Sequence, residues 1–386
     1  MSYFDCFKII TVEPVLFLYM FATFMHYGIF QDLVYEKVCI TSFNETICKN
    51  LHDPNNSKCL DIVQEDSSMW ILGSTVALAI PSIVTANFLG SWGDTFGRKL
   101  PLLMPSLGGI FSSFVYVWMS LYNLSGPVWP IVIASAISGL FGGFVSCIMA
   151  VMSYVSNISS QGSRTARVTV LEAMSFLGGT IGPFAGAALL SVSNHATVFG
   201  CICFCHVLLI IYVLACVPQV MGTESVNENS YCSFVHVRDT LKTCFRRRDG
   251  NKRASLICFI ISSVVIMTTT AVPLAAMFNF FCIPALRSLL SKQVETSELA
   301  EITNLSNYLS VLFISGKMYA FVASVENVCM LLGSAVFNSL YPIMRTLERG
   351  LIFQFAAVLQ IIPLIIMIWT FMWSDSTAYS NLNQDR

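Results

Sequence analysis

Long apolar runs separated by short polar segments make up most of this chain. They cover residues 14–30, 69–90, 100–122, 127–155, 168–193, 195–217, 254–286, 319–344 and 351–373. A helix needs about 20 mostly apolar residues to cross a bilayer, and only helices and closed barrels satisfy their backbone there. The runs are continuous rather than alternating, which argues against a barrel. The pattern therefore predicts an all-α membrane protein.

The run at 254–286 leaves the number of spans open. It is long for one helix and short for two, and Pro273 lies in its middle, where a proline breaks a helix. One span there gives nine helices in total, and a tight hairpin gives ten.

Composition supports the membrane interpretation and excludes several classes of function. Hydrophobic residues make up 55% and charged residues 11% of the chain, and the mean hydropathy is +0.70. A soluble domain carries about 25% charged residues. The net charge of −1 gives no reason to expect a nucleic-acid partner. We find no phosphate-binding loop, zinc-ligand spacing or nucleophile motif, so we expect no enzyme activity, cofactor or metal. The N-terminus does not resemble a cleaved signal peptide, and we interpret its apolar run as the first span.

The distribution of basic residues predicts the orientation and the domain organisation. With ten spans and the N-terminus inside, sixteen of the 21 Lys and Arg residues lie on the inner side. This bias predicts a multi-pass membrane protein with cytoplasmic N- and C-termini, and leaves open whether the host membrane is plasma or endolysosomal. The apolar runs and the polar stretch between them predict the domain boundaries: a six-helix half at 1–217, a cytoplasmic linker at 218–253, a second half at 254–373 and a tail at 374–386. The linker ends near Arg246–Arg248, which either contacts anionic lipid or simply holds the chain inside.

Residues 31–68 are predicted to form the longest outer loop. This loop contains two glycosylation sequons, at Asn44 and Asn55. It also contains Cys39, Cys48 and Cys59, and an outer loop is exposed to an oxidising compartment. We expect one disulfide among the three cysteines, with one thiol left over, and the sequence does not decide which two pair.

The segment between the second and third runs is the most informative motif. It reads Gly90-Ser-Trp-Gly93-Asp94-Thr-Phe-Gly97-Arg98-Lys99. Its glycines permit a tight turn and close helix approach, Asp94 can cap a helix or pair with a base, and the basic residues suit an inner loop. A generic short inner loop is the alternative.

This decapeptide resembles the signature loop of the major facilitator superfamily. More specifically, the chain resembles the proton-coupled folate transporter family of solute carriers. Four further stretches carry that resemblance: Val12–Leu18, Arg164–Ala173, Pro284–Lys292 and Phe337–Pro342. The resemblance implies a helical bundle that acts as a secondary transporter, moving an anionic organic solute such as a folate together with protons by alternating access. It also implies that Gly93, Asp94, Gly97, Arg98 and Lys99 belong to an inner gate.

The chain departs from the twelve spans of that family. The seventh run begins near Ala254 and leads almost directly into a segment similar to the tenth span, so that spans eight and nine are missing. Losing two of twelve spans leaves ten, and the later spans keep their orientation. A total of about ten requires two spans in the run at 254–286, which favours the hairpin there. The second half would then hold four helices. The alternative function is therefore a truncated, non-transporting isoform that acts as a membrane partner or regulator.

Charged residues inside predicted spans are the candidate functional groups, because insertion of each costs at least about 2.5 kcal/mol. Glu172 lies early in the fifth span, and burial favours the neutral form of a carboxylate, which suits proton coupling. The alternative is a structural pair with Arg167 or Arg164. Arg287 and Glu326 are the candidate substrate-binding residues. Their alternatives are a positive-inside anchor for Arg287 and a structural partner for Glu326.

Two further features lie within the predicted spans. Gly178, Gly182 and Gly186 form a face of small residues in the fifth span, typical of close helix packing. His26 and His206 are interpreted as packed bundle residues rather than a proton relay. The sequence leaves the oligomeric state open, including a homo-oligomer.

Overall fold

The computed structural model describes residues 11–51, 53–122, 124–159 and 161–220, the helical segments 324–329 and 331–340, and separate helical residues between 343 and 365. These described parts are mostly helical and contain no strand. The predicted hairpin at 254–286, most of the predicted linker and Arg287 lie outside the described residues.

Eight helices and one short turn follow one another from residue 13 to residue 216. They are α1 (Glu13–Ser42), α2 (Glu45–Lys49), a 3₁₀ turn (Pro54–Asn56), α3 (Ser57–Phe96), α4 (Lys99–Tyr122), α5 (Pro130–Leu140), α6 (Gly143–Ile158), α7 (Gln161–Val192) and α8 (His195–Cys216). Residues Met1–Val237 with Leu312–Asn327 form one compact unit, and Arg238–Val311 with Val328–Arg386 form a second.

Five segments of the described chain are long and apolar enough to cross a membrane. They are Ser57–Gly90, Lys99–Tyr122, Pro130–Ile158, Ala166–Val192 and His195–Cys216. These correspond to the second to sixth predicted spans. The predicted first span lies within α1, which is 30 residues long but less apolar, since His26, Gln31 and Asp32 lie along it.

Most of the predicted outer loop at 31–68 is helical in the structure. The apolar run of α1 ends near residue 30, but the helix continues to Ser42, and α3 already begins at Ser57. At 1.5 Å per residue these helices are about 45 Å and 60 Å long, against a hydrocarbon core of about 30 Å. Charged residues end an apolar run without ending a helix, since a helix outside the bilayer tolerates them well. Only residues 43–56 connect α1 to α3.

Opposite ends of this bundle are recognised by two landmarks. The end that contains Gly97–Lys99 is called the loop end. The end that contains a Cys39–Cys48 disulfide is called the disulfide end. Exposed Trp118, Tyr122 and Trp129 also lie toward the disulfide end, as expected of aromatic residues at a membrane boundary.

Helices α1 and α7 pack with their backbones in close approach. A Cβ atom built on Gly178 would lie 2.7 Å from the carbonyl oxygen of Phe17, and one on Gly182 would lie 2.6 Å from that of Phe21. Real Cβ atoms are not found so close to backbone atoms, so only glycine fits at these two positions. The packing interpretation of the glycine face is therefore confirmed.

The fourth span is broken, whereas the sequence predicted one uninterrupted run at 127–155. Gly142 and Gly143 have φ values of 98° and 57° and separate α5 from α6. Carbonyl groups released inside a membrane need new donors. The Ser82 hydroxyl donates to the Gly142 oxygen at 2.6 Å, and the Thr85 hydroxyl donates to the Leu140 oxygen at 3.0 Å. Both donors lie on α3, which therefore stabilises the break.

The two histidines of the bundle lie among aromatic rings. The His26 ring is 5.0 Å from that of Tyr116 and 5.6 Å from that of Phe199, centroid to centroid. The His206 ring lies 5.4 Å from that of Tyr19. These contacts join α1 to α4 and α8 and agree with the interpretation of both histidines as packed bundle residues.

Candidate functional site

Gly97 holds a backbone conformation at the loop end that other residues rarely adopt. Its φ is 117° and its ψ is 157°, a region used almost only by glycine. A Cβ atom there would also overlap the Gln219 side chain and lie 3.1 Å from the Val220 carbonyl oxygen. The same Val220 oxygen accepts a hydrogen bond from the Arg98 backbone N–H at 3.1 Å. The signature loop therefore lies directly against the segment that leaves α8.

The Arg98 side chain is buried and points toward the end of α6. With the Asn157 amide oriented to satisfy both groups, its oxygen accepts from Arg98 Nε at 2.6 Å and from Nη2 at 3.2 Å. Asn157 begins an Asn-Ile-Ser sequence on the predicted inner side, and nothing in that sequence indicates a contact with Arg98. Its role as a partner of Arg98 depends on the fold that brings α6 to the loop.

Lys99 and Tyr154 attach the end of α8 to the same junction. Lys99 Nζ donates to the Leu214 carbonyl oxygen at 3.0 Å, and a cation at a helix C-terminus also opposes the negative end of the helix dipole. The Tyr154 hydroxyl donates to the Pro218 oxygen at 3.0 Å. Together with Arg98, these contacts join α3, α4, α6 and α8 at the loop end.

Gly93 and Asp94 occupy the last turns of α3. A Cβ atom on Gly93 would lie 3.3 Å from Pro101 Cγ, so the glycine allows α4 to start close to α3. Asp94 lies within α3, and its side chain is outside the described residues.

A second polar cluster at the loop end joins α1 to α7. Arg167 Nη2 lies 3.1 Å from Glu13 Oε1 and 2.9 Å from the Thr11 hydroxyl. The other Glu13 oxygen accepts from the backbone N–H of Thr11 at 2.6 Å and of Val12 at 2.9 Å. The Tyr212 hydroxyl of α8 donates to the Thr11 carbonyl oxygen at 3.2 Å. The first turn of α1 is thus held by α7 and α8.

Glu172 lies on α7, more than one turn further into the bundle than Arg167. It is 9% exposed and follows Leu171, which belongs to the inner apolar cluster with Val168 and Leu209. The fold therefore places a buried carboxylate in a membrane-spanning helix.

Glu326 is also buried, in the helical segment 324–329. It is 5% exposed and its neighbour Asn327 is 1% exposed. This segment contacts α3, because Asn87 Nδ2 donates to the Ser324 hydroxyl at 2.8 Å. Arg287, the other predicted substrate-binding residue, lies outside the described residues.

The disulfide end carries the predicted modification sites. Cys39 and Cys48 form the disulfide and Cys59 is a free thiol, which decides the pairing that the sequence left open. Asn44 and Asn55 are both exposed in the connection between α1 and α3. Lys37 is fully buried nearby, with Nζ 3.3 Å from the Leu124 carbonyl oxygen, and burial lowers the pKa of its ammonium group.

Contacts between distant helices account for the polar residues that the sequence analysis missed. Glu13 pairs with Arg167, a contact that the sequence did not indicate, and Ser82 and Thr85 were not singled out at all. The adjacent glycines at 142 and 143 are the one local signal that could have indicated the break. None of the other pairings is visible from spacing along the chain.

Comparisons with known proteins agree with this architecture. The sequence profile of the Major Facilitator Superfamily matches residues 12–381. The lysosomal proton-coupled steroid conjugate and bile acid symporter SLC46A3 of Gallus gallus is 22% identical over 269 residues, which is 66% of this chain and 57% of that protein. The proton-coupled folate transporter of Rattus norvegicus is 22% identical over 420 aligned positions, covering 92% of this chain and 91% of that protein.

Solved structures give the same fold. The human organic anion transporter MFSD10 (TETRAN) superposes with a TM-score of 0.54 at 15% identity, covering 92% of this chain and 97% of that one. A peptide transporter POT bound to sulfate gives a TM-score of 0.52 at 11% identity, covering 95% of each chain. At these identities the structures are evidence for the fold alone.

Proposed function

Because this chain belongs to the major facilitator superfamily, we propose that it is a secondary active transporter that moves an anionic organic solute together with protons. The superfamily consists of membrane transporters rather than enzymes, and the matched relatives in Gallus gallus and Rattus norvegicus are named as proton-coupled transporters. The part of the chain that matches the first of these spans just over half of that relative's length. Proton coupling and substrate class are therefore proposals for this chain.

The buried carboxylate of Glu172 is the observation that carries the proposal. A charged group within a spanning helix is expensive to insert, so that such groups are usually functional. Glu172 lies on α7, which packs closely against α1 at Gly178 and Gly182. We infer that this carboxylate is the group to which the coupled proton binds.

Glu326 and Arg287 are proposed to bind the solute. An arginine offers paired donors for a carboxylate, sulfate or phosphate group of the substrate. Glu326 lies beside Asn327 in a segment bonded to α3, so a polar substrate group would meet donors and acceptors there. We infer that Arg287 supplies the charge and Glu326 contributes to orientation.

The loop end is proposed to be the inner gate, formed by Gly93, Asp94, Gly97, Arg98 and Lys99. Arg98 and Lys99 hold their neighbours through hydrogen bonds to an amide and a carbonyl. Such bonds can open and re-form, as alternating access requires. With this end in the cytoplasm, Asn44 and Asn55 face the outside or a lumen, where glycosylation occurs.

Uptake by the purified full chain in liposomes tests the proposal. Radiolabelled folate and a radiolabelled steroid sulfate are offered with an acidic exterior and a neutral interior. We expect acid-stimulated uptake of at least one anion, and the Glu172→Gln variant should lose the acid stimulation while still exchanging internal for external solute. Glu65→Gln removes an exposed carboxylate and is the matched control. Acid-stimulated uptake that survives in Glu172→Gln would contradict the assigned role.

A non-transporting isoform is the second candidate function, and one observation favours it. The match to the rat folate transporter extends over 420 aligned positions, more than the 386 residues of this chain, so the relative has residues opposite gaps here. Missing spans eight and nine would create such gaps. Correct surface delivery without uptake of any tested anion, beside an active twelve-span relative under identical conditions, would support this alternative.

A further inference from the structure

The four residues that follow α8 leave the helix in a way that the sequence dictates. Pro218 follows Val217, and a residue before a proline is disfavoured in the helical conformation. The last bond of the helical pattern runs from the Val217 N–H to the Val213 carbonyl oxygen at 3.3 Å. Val217 itself is extended, with a φ of −89° and a ψ of 118°. The segment Val217–Val220 is called the strap.

Burial divides the strap into two anchored ends and an exposed middle. Val217 is 2% exposed and belongs to the same inner apolar cluster as Leu102 of α4, and Val220 packs against that cluster. Pro218 and Gln219, between them, are exposed. The ends of the strap are therefore held by apolar contacts, and its middle is open to water.

Two neighbouring elements donate hydrogen bonds to the strap. The Arg98 backbone N–H, in the loop between α3 and α4, donates to the Val220 carbonyl oxygen at 3.1 Å. The Tyr154 hydroxyl, near the end of α6, donates to the Pro218 carbonyl oxygen at 3.0 Å. Both acceptors are backbone carbonyls of the same short segment. The strap therefore joins the signature loop to α6.

Gly97 makes room for the strap. The Gln219 side chain occupies the space that a Cβ atom on Gly97 would take, and that atom would lie 3.1 Å from the Val220 carbonyl oxygen. A larger residue at position 97 would therefore press against the strap. The missing side chain of this glycine is part of the contact.

Neither hydrogen bond holds the strap strongly. A hydrogen bond between neutral groups adds little net stability, because water replaces the lost partner where the chain is exposed. The strap is four residues long and has no helical bonds of its own beyond Val217. Short segments of this kind open locally as one cooperative unit. We therefore expect the bonds at Pro218 and Val220 to break and form together.

We propose that Val217–Val220 is a strap that detaches from the signature loop as one unit, and that the Tyr154 hydroxyl is its clasp. The attached strap fixes the Arg98 backbone, from which the side chain reaches Asn157. Tyr154 is a positioning residue that acts on Arg98 through the strap. Detachment accompanies opening of the loop end. That last step rests on the function proposed above, whereas the strap itself does not.

Hydrogen exchange of the full chain in lipid nanodiscs, read at single residues by electron-transfer fragmentation, tests the strap. Tyr154→Phe removes the bond to Pro218 and leaves the Arg98 N–H and its acceptor in place. Because the strap opens as one unit, the Arg98 amide should exchange about fivefold faster in this variant. Tyr212→Phe is the matched control, since that hydroxyl donates to another backbone carbonyl of the loop end, that of Thr11 at 3.2 Å. An Arg98 exchange rate that Tyr154→Phe leaves unchanged, or that Tyr212→Phe raises as much, would overturn the strap.

Thiol labelling measures detachment independently of any amide. The side chain at position 217 is buried, so N-ethylmaleimide should reach Val217→Cys only when the strap detaches. Adding Tyr154→Phe should raise the rate of labelling at that position, measured on its own peptide by mass spectrometry. Unchanged labelling would show that residue 217 stays in place when the bond at Pro218 is lost, and would overturn detachment as one unit.

Solute exchange in liposomes tests the link between the strap and the gate. Tyr154→Phe should exchange internal for external anion faster than the wild type, and Tyr212→Phe should not. Faster exchange of the Arg98 amide without faster solute exchange would overturn the link to the gate. Absence of uptake by the wild type would count against the proposed function, and hydrogen exchange would still decide whether the strap detaches as one unit.

Discussion

The two ends of the helical bundle formed by α1 to α8 are held together by different chemistry. At the loop end, Arg98 and Lys99 donate to an amide and a carbonyl oxygen of other helices, and Arg167 pairs with Glu13. At the disulfide end, a covalent bond closes the connection after α1, and the ion pairs lie in contact with solvent. One end is thus held by reversible polar contacts, most of them buried, and the other by a permanent bond and by ion pairs whose carboxylates are exposed.

This difference fits what each end would have to do in a transporter. Alternating access requires contacts that open as a set, and networks of buried hydrogen bonds have such discrete states. A disulfide does not open within a transport cycle. We therefore expect substitutions at the loop end to alter conformational equilibria, and substitutions at the disulfide end to alter local stability.

Loss of the Arg167 side chain should give the largest effect. In the pair with Glu13, the side chains are only 17% and 7% exposed, so Arg167→Met leaves a carboxylate buried beside apolar groups. Breaking one partner of a buried pair costs about 3 kcal/mol. Chemical unfolding of the detergent-solubilised protein measures the change.

A double-mutant cycle sharpens the Arg167 prediction. Removing both charges in Glu13→Gln/Arg167→Met should be milder than Arg167→Met alone, since no uncompensated charge remains. Additive losses of stability in the double variant would show that the two side chains are not energetically coupled.

The disulfide should have the second-largest effect. Its cysteines lie 9 residues apart, and closing a loop of that size stabilises the folded state by about 2–3 kcal/mol. Cys39→Ser/Cys48→Ser should lose that stability, and a reductant should have the same effect on the wild type. Cys59→Ser is the control, because that thiol is free. If Cys59→Ser destabilised as much as the double variant, the pairing would be wrong.

Gly97→Ala tests the backbone of the loop end. An alanine at a φ of 117° is strained by about 1–3 kcal/mol, although the flexible Gln219 side chain can move aside. We expect lower thermal stability and slower uptake of any transported anion. Gly28→Ala in α1 is the control, because no atom lies within 4 Å of its added Cβ. Equal behaviour of the two variants would show that the Gly97 conformation is not required.

The spans of this bundle were predictable because hydropathy acts locally. The runs at 100–122 and 195–217 agree with α4 and α8 to within one residue. The helical extension of α1 to Ser42 was not predictable from hydropathy, because an apolar run indicates contact with lipid and a helix can continue beyond the lipid. The break at Gly142 was missed for a related reason: glycine does not interrupt an apolar run.

The sequence predicted the residues of the candidate site better than the contacts that those residues make. Arg98 and Lys99 were expected at a gate from their motif, but their acceptors, Asn157 and the Leu214 carbonyl, belong to helices 59 and 115 residues away along the chain. His195 of α8 contacts Asp32 and Glu36 of α1, and none of the three belonged to a sequence motif. Pairings across a bundle depend on helix rotation and tilt, which are set by packing rather than by local pattern.

The exposed pair of Glu45 and Lys49 should give the smallest effect. Its N–O distance of 2.9 Å is shorter than the 3.1 Å of Arg167 and Glu13, yet both of its side chains are 73% exposed. The Lys49 ammonium lowers the pKa of Glu45 through a hydrogen bond and its charge, so any stabilisation is present at neutral pH and is lost as the pH falls through the carboxyl titration. Water competes for both groups, so Glu45→Gln should leave the Tm at neutral pH unchanged. If Glu45→Gln reduced stability as much as Arg167→Met, burial would not explain the difference between the two ends.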